Sequence, residues 1–163
     1  MGNSFVKSQL SLTKNHLHSV SNRVRDYLNK TTLDDLKVDD ESVLEDELSD
    51  ILVQLRRLNV FIDEGYESCQ LVLKSGTFRK GAAEKTLYWI YYRCIEEFFQ
   101  PRLDTWYEDS RAAYTGKNAI KFYISVPDHL KQLVKDVESP LQELREELEY
   151  YETDFRTKML HSK

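Results

Sequence analysis

Apolar residues recur along most of this chain at intervals of three, four or seven, and this spacing restricts its fold more than any other feature. Residues at these intervals lie on one side of an α-helix, which has about 3.6 residues per turn. Six apolar residues of the first block follow the pattern: Val6, Leu10, Leu17, Val20, Val24 and Leu28. The block therefore predicts an amphipathic helix that ends in the polar run at residues 29–32.

A second block repeats the spacing over six apolar residues: Leu44, Leu48, Ile51, Leu55, Leu58 and Ile62. Ser42 and Glu45 stand three positions apart before it, which predicts a capping box. In such a box the serine oxygen accepts a free helix amide, and the glutamate accepts the amide of the serine. Lys74 and Gly76 predict the end of this helix, since a cation and a glycine favour a helix C-terminus.

A third block begins near Lys80 and is apolar on most of its sides. Its helical stripe and its other faces both carry large residues: Ala83, Leu87, Tyr88, Trp89, Ile90, Tyr91, Tyr92, Cys94, Ile95, Phe98 and Phe99. Such a helix is enclosed by the rest of the protein or presents a surface to a partner. We expect Pro101 to kink this helix, because proline lacks an amide and clashes with the preceding turn. Helical structure is expected to resume over residues 103–113.

A fourth block follows Pro127 and carries nine apolar residues at the same spacing: Leu130, Val134, Val137, Leu141, Leu144, Leu148, Tyr151, Phe155 and Met159. Before it, residues 119–126 are rich in strand-forming side chains. We expect a short extended segment there, either as a crossover or paired with another chain, because a lone strand has no partner. The four blocks predict an all-α, up-down bundle of four long helices in one domain, residues 1–163.

The composition excludes several classes of function. The chain has 163 residues, 23 Lys+Arg, 28 Asp+Glu, a net charge of −5 and 40% apolar residues. The negative charge argues against a general nucleic-acid binder, which needs a basic face. No apolar stretch approaches the roughly 20 residues of a membrane span. We therefore expect a cytoplasmic protein without a membrane span, and the sequence implies no cofactor.

The cysteines and histidines do not form a recognisable catalytic or metal-binding motif. Cys69 and Cys94 both fall on core-facing stripes, at levels that differ by roughly 13 Å if both blocks are helical. We expect two buried thiols that are too far apart for a disulfide. The chain contains no His-x-x-x-His and no Glu-x-x-His motif. This excludes zincin-like chemistry and the di-iron site of ferritin-like bundles.

One pair of carboxylates suggests an enzyme as an alternative. Glu47 and Asp50 resemble the later Glu-x-x-Asp half of the magnesium site in all-α nucleotide pyrophosphohydrolases of the MazG kind. The earlier Glu-x-x-Glu half is missing, since residues 1–40 contain no glutamate. Magnesium needs oxygen ligands from more than one place, so the site would need two further carboxylates. A solvated acidic first turn that complements the helix dipole is the simpler explanation.

A further alternative is a weak nucleic-acid or phosphate contact through the basic loop at residues 74–85. Lys74, Arg79, Lys80 and Lys85 lie there against a single Glu84. The start of a helix exposes amides that favour an anion. The loop has no phosphate-binding motif, and lysines that balance acidic helices explain its charge more simply.

The densest group of functional side chains lies between the third and fourth blocks. Its candidate binding residues are Trp106, Tyr107, Asp109, Arg111, Tyr114, Lys117 and Asn118. Trp, Tyr and Arg supply most of the energy of protein interfaces, and loops on rigid scaffolds often carry function. A self-satisfied network that closes the end of the bundle is the alternative. We expect a non-enzymatic interaction or regulatory module that binds a protein partner or forms a homodimer through the third helix or residues 119–126.

Four segments together resemble a known family: Met1-Gly2-Asn3-Ser4, Glu96-Glu97-Phe98-Phe99, Trp106–Asn118 and Glu149-Tyr150-Tyr151-Glu152-Thr153-Asp154. They are similar to the YpuI-like proteins, uncharacterised cytoplasmic proteins of Gram-positive spore-forming bacteria. The resemblance extends over nearly the whole chain. It implies a bacterial, cytoplasmic origin, and it implies no catalytic or ligand-binding residues.

Overall fold

The apolar stripes form the core of a helical bundle, which confirms the predicted all-α class. The structure, a computed structural model, describes residues 2–110 and 118–161, with side chains described up to residue 154 and at residue 157. Its helices are α1 (Asn3–Lys30), α2 (Glu45–Lys74), α3 (Lys80–Ile90), α4 (Glu96–Phe99) and α5 (Asp128–His161). A 3-10 turn, Leu33–Leu36, follows α1, and a π-helical turn, Tyr91–Ile95, joins α3 to α4.

Helices α1, α2, α3 and α5 pack around a shared apolar core. Helix α1 contacts the other three, and α5 also lies against α3 and the π-helical turn. The predicted stripe of α5 is buried along the described side chains from Leu130 to Tyr151. Pro140 lies inside α5 without ending it. None of the helices in the described ranges has the length and hydropathy needed to cross a membrane.

Gly65 lies where α2 packs tightly against its neighbours. A Cβ atom built there would lie 3.0 Å from Leu17 Cδ1, 3.1 Å from Ile90 Cγ1 and 3.3 Å from Cys94 Sγ. Glycine within a helix usually destabilises it by about 0.5–1 kcal/mol relative to alanine. Here the missing side chain lets α1, α2 and α3 come together in one layer of the core.

The start of α2 differs from the predicted capping box. The helix begins at Glu45, and the amide of Leu44 donates to Glu47 Oε1 at 3.0 Å. Ser42 instead donates through both its amide and its hydroxyl to Asp40 Oδ1, at 3.0 and 2.6 Å. The prediction was wrong because the Asp40 carboxylate, two residues away, captures Ser42 in a local turn.

The third predicted helix ends before Pro101 and does not kink there. The π-helical turn interrupts its regular hydrogen bonding, and α4 ends at Phe99. Gln100 has φ −132° and ψ 71°, outside the helical region, as expected for a residue that precedes proline. Helical structure does not resume over residues 103–109, where the chain forms a turn and then a strand. Ser110 is helical, and the rest of the predicted segment, residues 111–113, lies outside the described residues.

The two strands form an antiparallel hairpin, β1 (Trp106–Glu108) and β2 (Ile120–Phe122). Trp106 lies opposite Phe122, and Glu108 lies opposite Ile120. The extended structure predicted within residues 119–126 is thus present at β2. Its partner is β1 of the same chain. The expectation of an unpaired crossover or of pairing with another chain was therefore wrong. Sequence spacing missed this because residues 106–108 also fit a helical pattern.

Candidate functional site

Trp106 anchors the hairpin in the core. Its indole Nε1 donates to the carbonyl of Phe98 at 2.7 Å, and only 1% of the residue is exposed. Its ring lies 6.0 Å from the rings of both Phe98 and Phe122. Buried aromatic residues with a satisfied polar end contribute strongly to packing, so this side chain connects β1 to α4.

Arg145 on α5 forms a second anchor. Its guanidinium donates to both carboxylate oxygens of Glu108, at 3.0 and 2.6 Å. The same group lies 3.7 Å from the centroid of the Phe99 ring. Both charged side chains are largely shielded from solvent. A bidentate ion pair has a fixed geometry, so it sets the orientation of β1 on α5.

A third anchor joins the other strand to α5. Glu138 is only 4% exposed, and its Oε2 accepts the amide of Ala119 at 3.0 Å. Asn118, the residue before, has a φ of 55° in the left-handed region, which asparagine tolerates better than most residues. The carboxylate therefore fixes the chain where it enters β2.

Gln54 on α2 holds the turn that precedes β1. Its side chain is fully buried, its Oε1 accepts the amide of Leu103 at 3.2 Å, and its Nε2 donates to Glu97 Oε1 at 2.9 Å. Arg57 donates to the same Glu97 oxygen. Both polar ends of the buried amide thus have partners, and the hairpin is attached to α2 as well as to α5.

The face of the hairpin opposite the core carries Tyr107, Lys121 and Tyr123. Side chains alternate along a strand, so these residues share one face while Trp106 and Phe122 share the other. The rings of Tyr107 and Tyr123 lie 4.7 Å apart between centroids. Tyr107 is 38% exposed and Tyr123 is 59% exposed. Two adjacent tyrosines are thus held at the surface by a hairpin with several anchors.

A groove of about 710 Å³ runs between β2 and the first half of α5. It is lined by three lysines, Lys121, Lys131 and Lys135, and by the apolar side chains of Ile124, Val126 and Val134. Tyr107 and Tyr123 form part of its wall. The volume falls within the roughly 300–1,000 Å³ of typical ligand sites. Glu138, the one carboxylate among the described residues that line it, already accepts the Ala119 amide.

The seven binding residues predicted from the sequence do not all lie in one place in the structure. Tyr107 and Asn118 line the groove, and Trp106 is buried on the core face of the hairpin. The amide of Asp109 donates to the carbonyl of Ala119 at 2.7 Å, next to the groove. The remaining three, Arg111, Tyr114 and Lys117, lie outside the described residues.

Sequence reasoning missed Tyr123, Lys121 and the lysines of α5. Lys131 and Lys135 are four residues apart, and such a pair lies on one helix face. That spacing was the available signal, but the two lysines form the wall of a groove only because β2 packs beside α5. Glu108 and Arg145 were also missed, since nothing local links residues 37 positions apart.

The carboxylate pair of the hydrolase alternative sits at the start of α2. Glu47 accepts the Leu44 amide and therefore has a capping role, while Asp50 is exposed one turn later. In the described part of the chain, no three His, Cys, Asp or Glu side chains converge in a way that could hold a metal ion. The two further carboxylates that this alternative needs are therefore not found among those residues.

The basic loop lies at the connection between α2 and α3, with Arg79 exposed immediately before α3. Two cations of the first helix, which carries the other basic residues of this alternative, are already in ion pairs. Arg23 lies 3.4 Å from Asp136, and Arg25 lies 3.0 Å from Asp63. A nucleic-acid or phosphate contact at residues 74–85 stays a prediction.

Both thiols are buried and free, as the sequence predicts. Burial raises the pKa of Cys69 to about 12 and raises the pKa of Cys94 well above its ordinary value. Cys94 Sγ donates to the carbonyl of Phe61 at 3.2 Å. A thiol is nucleophilic only as the thiolate, so this environment keeps both groups chemically inert.

Comparison with known proteins agrees with the resemblance seen in the sequence. Residues 10–157 match a family model described as "Protein of unknown function (DUF3907)". The chain is 45% identical over 152 residues to "Uncharacterized protein YpuI" of Bacillus subtilis (strain 168), a match that covers 93% of this chain and 84% of that protein. No solved structure matches.

Proposed function

Because this chain belongs to the DUF3907 family of proteins of unknown function, we propose its role from the chemistry of its surface. It is a non-enzymatic interaction module that binds a protein partner. Its binding surface is the hairpin–α5 surface, defined as the exposed hairpin residues Tyr107, Lys121 and Tyr123 together with the groove beside α5. Asn118 borders this surface, and Trp106 supports it from below.

The observation that carries the proposal is the exposed tyrosine pair on an anchored hairpin. Tyr107 and Tyr123 expose large rings at a fixed position, where burial by a partner costs little conformational entropy. Tyrosine is enriched at the energetic centres of protein interfaces. A short hairpin of three-residue strands is not stable alone, so it depends on the anchors at Trp106 and Arg145. That so small an element is held by several anchors favours a binding role over a purely structural one.

The groove has little of the chemistry that general acid–base catalysis needs. Its described lining contains no histidine and no cysteine. The one carboxylate of that described lining, Glu138, is buried and accepts a backbone amide. Catalytic sites usually pair a nucleophile or base with a second group that orients it. The lining residues favour recognition over catalysis.

Partner capture with paired variants tests the proposal. Extract from the native host is passed over the wild-type protein and over the double variant Tyr107→Ser/Tyr123→Ser, and bound proteins are quantified by mass spectrometry. We expect at least one protein to bind the wild type and to be lost from the double variant, because exposed tyrosines contribute most of the contact energy.

The matched control is Phe5→Ser/Tyr150→Ser, which removes two exposed aromatic rings elsewhere, 49% and 53% exposed. It should retain the same partner. Circular dichroism establishes that all variants keep the helical fold. Identical sets of captured proteins for the wild type and both variants would refute the proposal.

Self-association through α3 is a second candidate. Tyr92 is 51% exposed and lies 6.5 Å from the ring of Tyr88, which gives the end of α3 an aromatic surface. Sedimentation velocity over a wide concentration range tests this. A dimer that Tyr92→Ser dissociates would support it, and a monomer at all concentrations would rule it out.

A further inference from the structure

We infer that the hairpin–α5 surface binds an extended, acidic segment of the partner, which adds a third strand to the hairpin along β2. This inference rests on the proposed function and specifies the partner segment that the surface recognises. It is drawn from three features of the groove: the direction of the backbone groups of β2, the charge of its lining and the apolar side chains at its base.

The hydrogen bonds at the two ends of the hairpin fix the direction of its backbone groups. The amide of Asp109 donates to the carbonyl of Ala119 at 2.7 Å. The amide of Tyr123 donates to the carbonyl of Thr105 at 3.3 Å. In an antiparallel pair, opposite residues alternate between bonded and non-bonded positions.

By this alternation, Tyr107 and Lys121 are the bonded pair in the middle of the hairpin. The backbone groups of Ile120 and Phe122 consequently point away from β1. Both residues line the groove, so their free edge lies along it. No side chain or backbone group in the described ranges hydrogen-bonds to these outward groups. Unpaired strand edges are the sites at which extended peptides add to a sheet.

The charge of the groove selects the partner segment. Lys121, Lys131 and Lys135 line it, and among its described lining residues the one carboxylate belongs to the buried Glu138. Asp40 lies at one end, where it accepts a hydrogen bond from Ser125. The whole chain carries a net charge of −5. A cluster of lysines on an acidic protein is complementary to a negatively charged segment and steers it toward the groove.

The base of the groove is apolar. Val126 is 5% exposed and Val134 is 3% exposed, and Ile124 lies beside them. Side chains of an added strand alternate, so one set would face the apolar base while the other set meets the lysines. Alternating acidic and aliphatic residues satisfy both surfaces. The outward edge of β2 offers both N–H and C=O groups. A peptide backbone can pair with both kinds of group, whereas a phosphate backbone carries only acceptors, which favours a peptide over a nucleic acid.

The first experiment uses an eight-residue capped peptide of alternating Glu and Val as the probe. The controls are the same peptide with Lys in place of Glu, and a twelve-nucleotide oligo-dT. Fluorescence anisotropy should detect saturable binding of the Glu–Val peptide alone, weakened by added salt. Absence of binding, or tighter binding of the Lys–Val peptide or the oligonucleotide, would overturn the inference.

Charge variants locate the bound probe. The triple variant Lys121→Gln/Lys131→Gln/Lys135→Gln should lower the affinity for the Glu–Val peptide by about tenfold or more. Each exposed ion pair contributes a modest amount, and three of them are lost. The matched control is Lys7→Gln/Lys14→Gln/Lys30→Gln on α1, which makes the same change in net charge and should leave affinity unchanged. Equal affinity for the two triple variants would contradict the assigned site.

Backbone methylation tests strand addition directly. N-methyl groups are placed on the Glu amides of one peptide and on the Val amides of another. Only one set of amides can face β2, so one peptide should lose binding while the other keeps it. Hydrogen exchange should slow at the amides of Ile120 and Phe122 when the peptide binds. Tolerance of both methylated peptides, or unchanged exchange at both amides, would overturn strand addition.

The outcomes separate this inference from the proposed function. If the Glu–Val peptide fails to bind while Tyr107→Ser/Tyr123→Ser still loses a captured protein, the acidic strand is wrong and the interaction module stands. If the lysine variant instead abolishes self-association of the chain, a second copy occupies the groove and the inference is overturned.

Discussion

Arg145 and Glu108 form a bidentate ion pair that joins the last helix to the first strand of the hairpin, with donor–acceptor distances of 3.0 and 2.6 Å. The guanidinium also covers the ring of Phe99. One side chain thus connects α5, β1 and α4. This pair explains how a hairpin of two short strands can present Tyr107 and Tyr123 at a fixed position.

We expect Arg145→Met to loosen the hairpin. Methionine keeps much of the apolar contact with Phe99 but leaves the largely shielded Glu108 carboxylate without its partner. The free energy of unfolding should fall by about 1–3 kcal/mol, measured by urea denaturation. Arg56→Met, at an exposed position on α2, is the control and should stay within about 0.5 kcal/mol of the wild type.

A double-mutant cycle separates the ion pair from general packing. The combination of Arg145→Met with Glu108→Gln should destabilise the protein by less than the sum of the single changes, with a coupling energy of at least about 0.5 kcal/mol. Additive effects would show that the two residues stabilise the hairpin independently.

Gly65 in α2 and Gly81 in α3 should respond to alanine with opposite changes in stability. A Cβ at Gly65 would lie 3.0 Å from Leu17 Cδ1, whereas one at Gly81 meets nothing within 4 Å. Gly81→Ala should therefore stabilise the protein by up to about 1 kcal/mol, because it reduces the freedom of the unfolded chain. Gly65→Ala should lower the melting temperature despite the same gain. Stabilisation by both changes would mean that the core at Gly65 has spare room.

The buried thiols should resist modification in the folded protein. Burial raises the pKa of Cys69 to about 12 and that of Cys94 well above its usual range. At pH 8 the native protein should react with a thiol reagent at least about a hundredfold more slowly than the denatured protein. Serine variants at each position assign the reacting thiol. Rapid labelling of either cysteine without denaturant would contradict the packing described for α2 and the π-helical turn.

Alkaline conditions should destabilise the fold partly through Tyr151. Burial raises the pKa of Tyr151 from 10.0 to about 12, so the folded state holds this proton more tightly than the unfolded state does. Its contribution to stability is complete below pH 10.0 and is lost as the pH rises to about 12.

The free energy of unfolding of Tyr151→Phe should therefore fall less steeply over this alkaline range than that of the wild type. Tyr151→Phe also removes the hydrogen bond to Gln9, which lowers its stability at every pH. Tyr150→Phe, at the exposed neighbouring ring, is the control and should keep the slope of the wild type. If the free energy of unfolding fell equally steeply with pH for all three proteins, Tyr151 would not contribute to the alkaline loss of stability.

The long helices could be predicted from the sequence because the spacing that indicates them involves residues close together in the chain. The stripe from Val6 to Val24, for example, predicts both the helix and its buried face. The hairpin could not be predicted in this way, since Trp106–Glu108 also fits helical spacing and its pairing depends on residues more than ten positions away. The π-helical turn at Tyr91–Ile95 likewise has no sequence pattern that distinguishes it from a regular helix.

The candidate site was predicted only in part for the same reason. Aromatic and polar residues around Tyr107 marked the region, but the partners that shape it come from α5. The contact between Ala119 and Glu138 and the basic pair Lys131 and Lys135 depend on tertiary packing. Composition also concealed the basic groove, since the chain as a whole is acidic.

Site-specific photo-cross-linking in the native host tests the central claim most directly. A photoreactive phenylalanine analogue replaces Tyr123 in one strain and Leu71, which is 72% exposed on α2, in another. We predict a cross-link from position 123 to a defined protein, at a segment rich in Asp or Glu, and no such product from position 71. The same products from both positions, or a cross-link from position 123 to nucleic acid alone, would contradict the account.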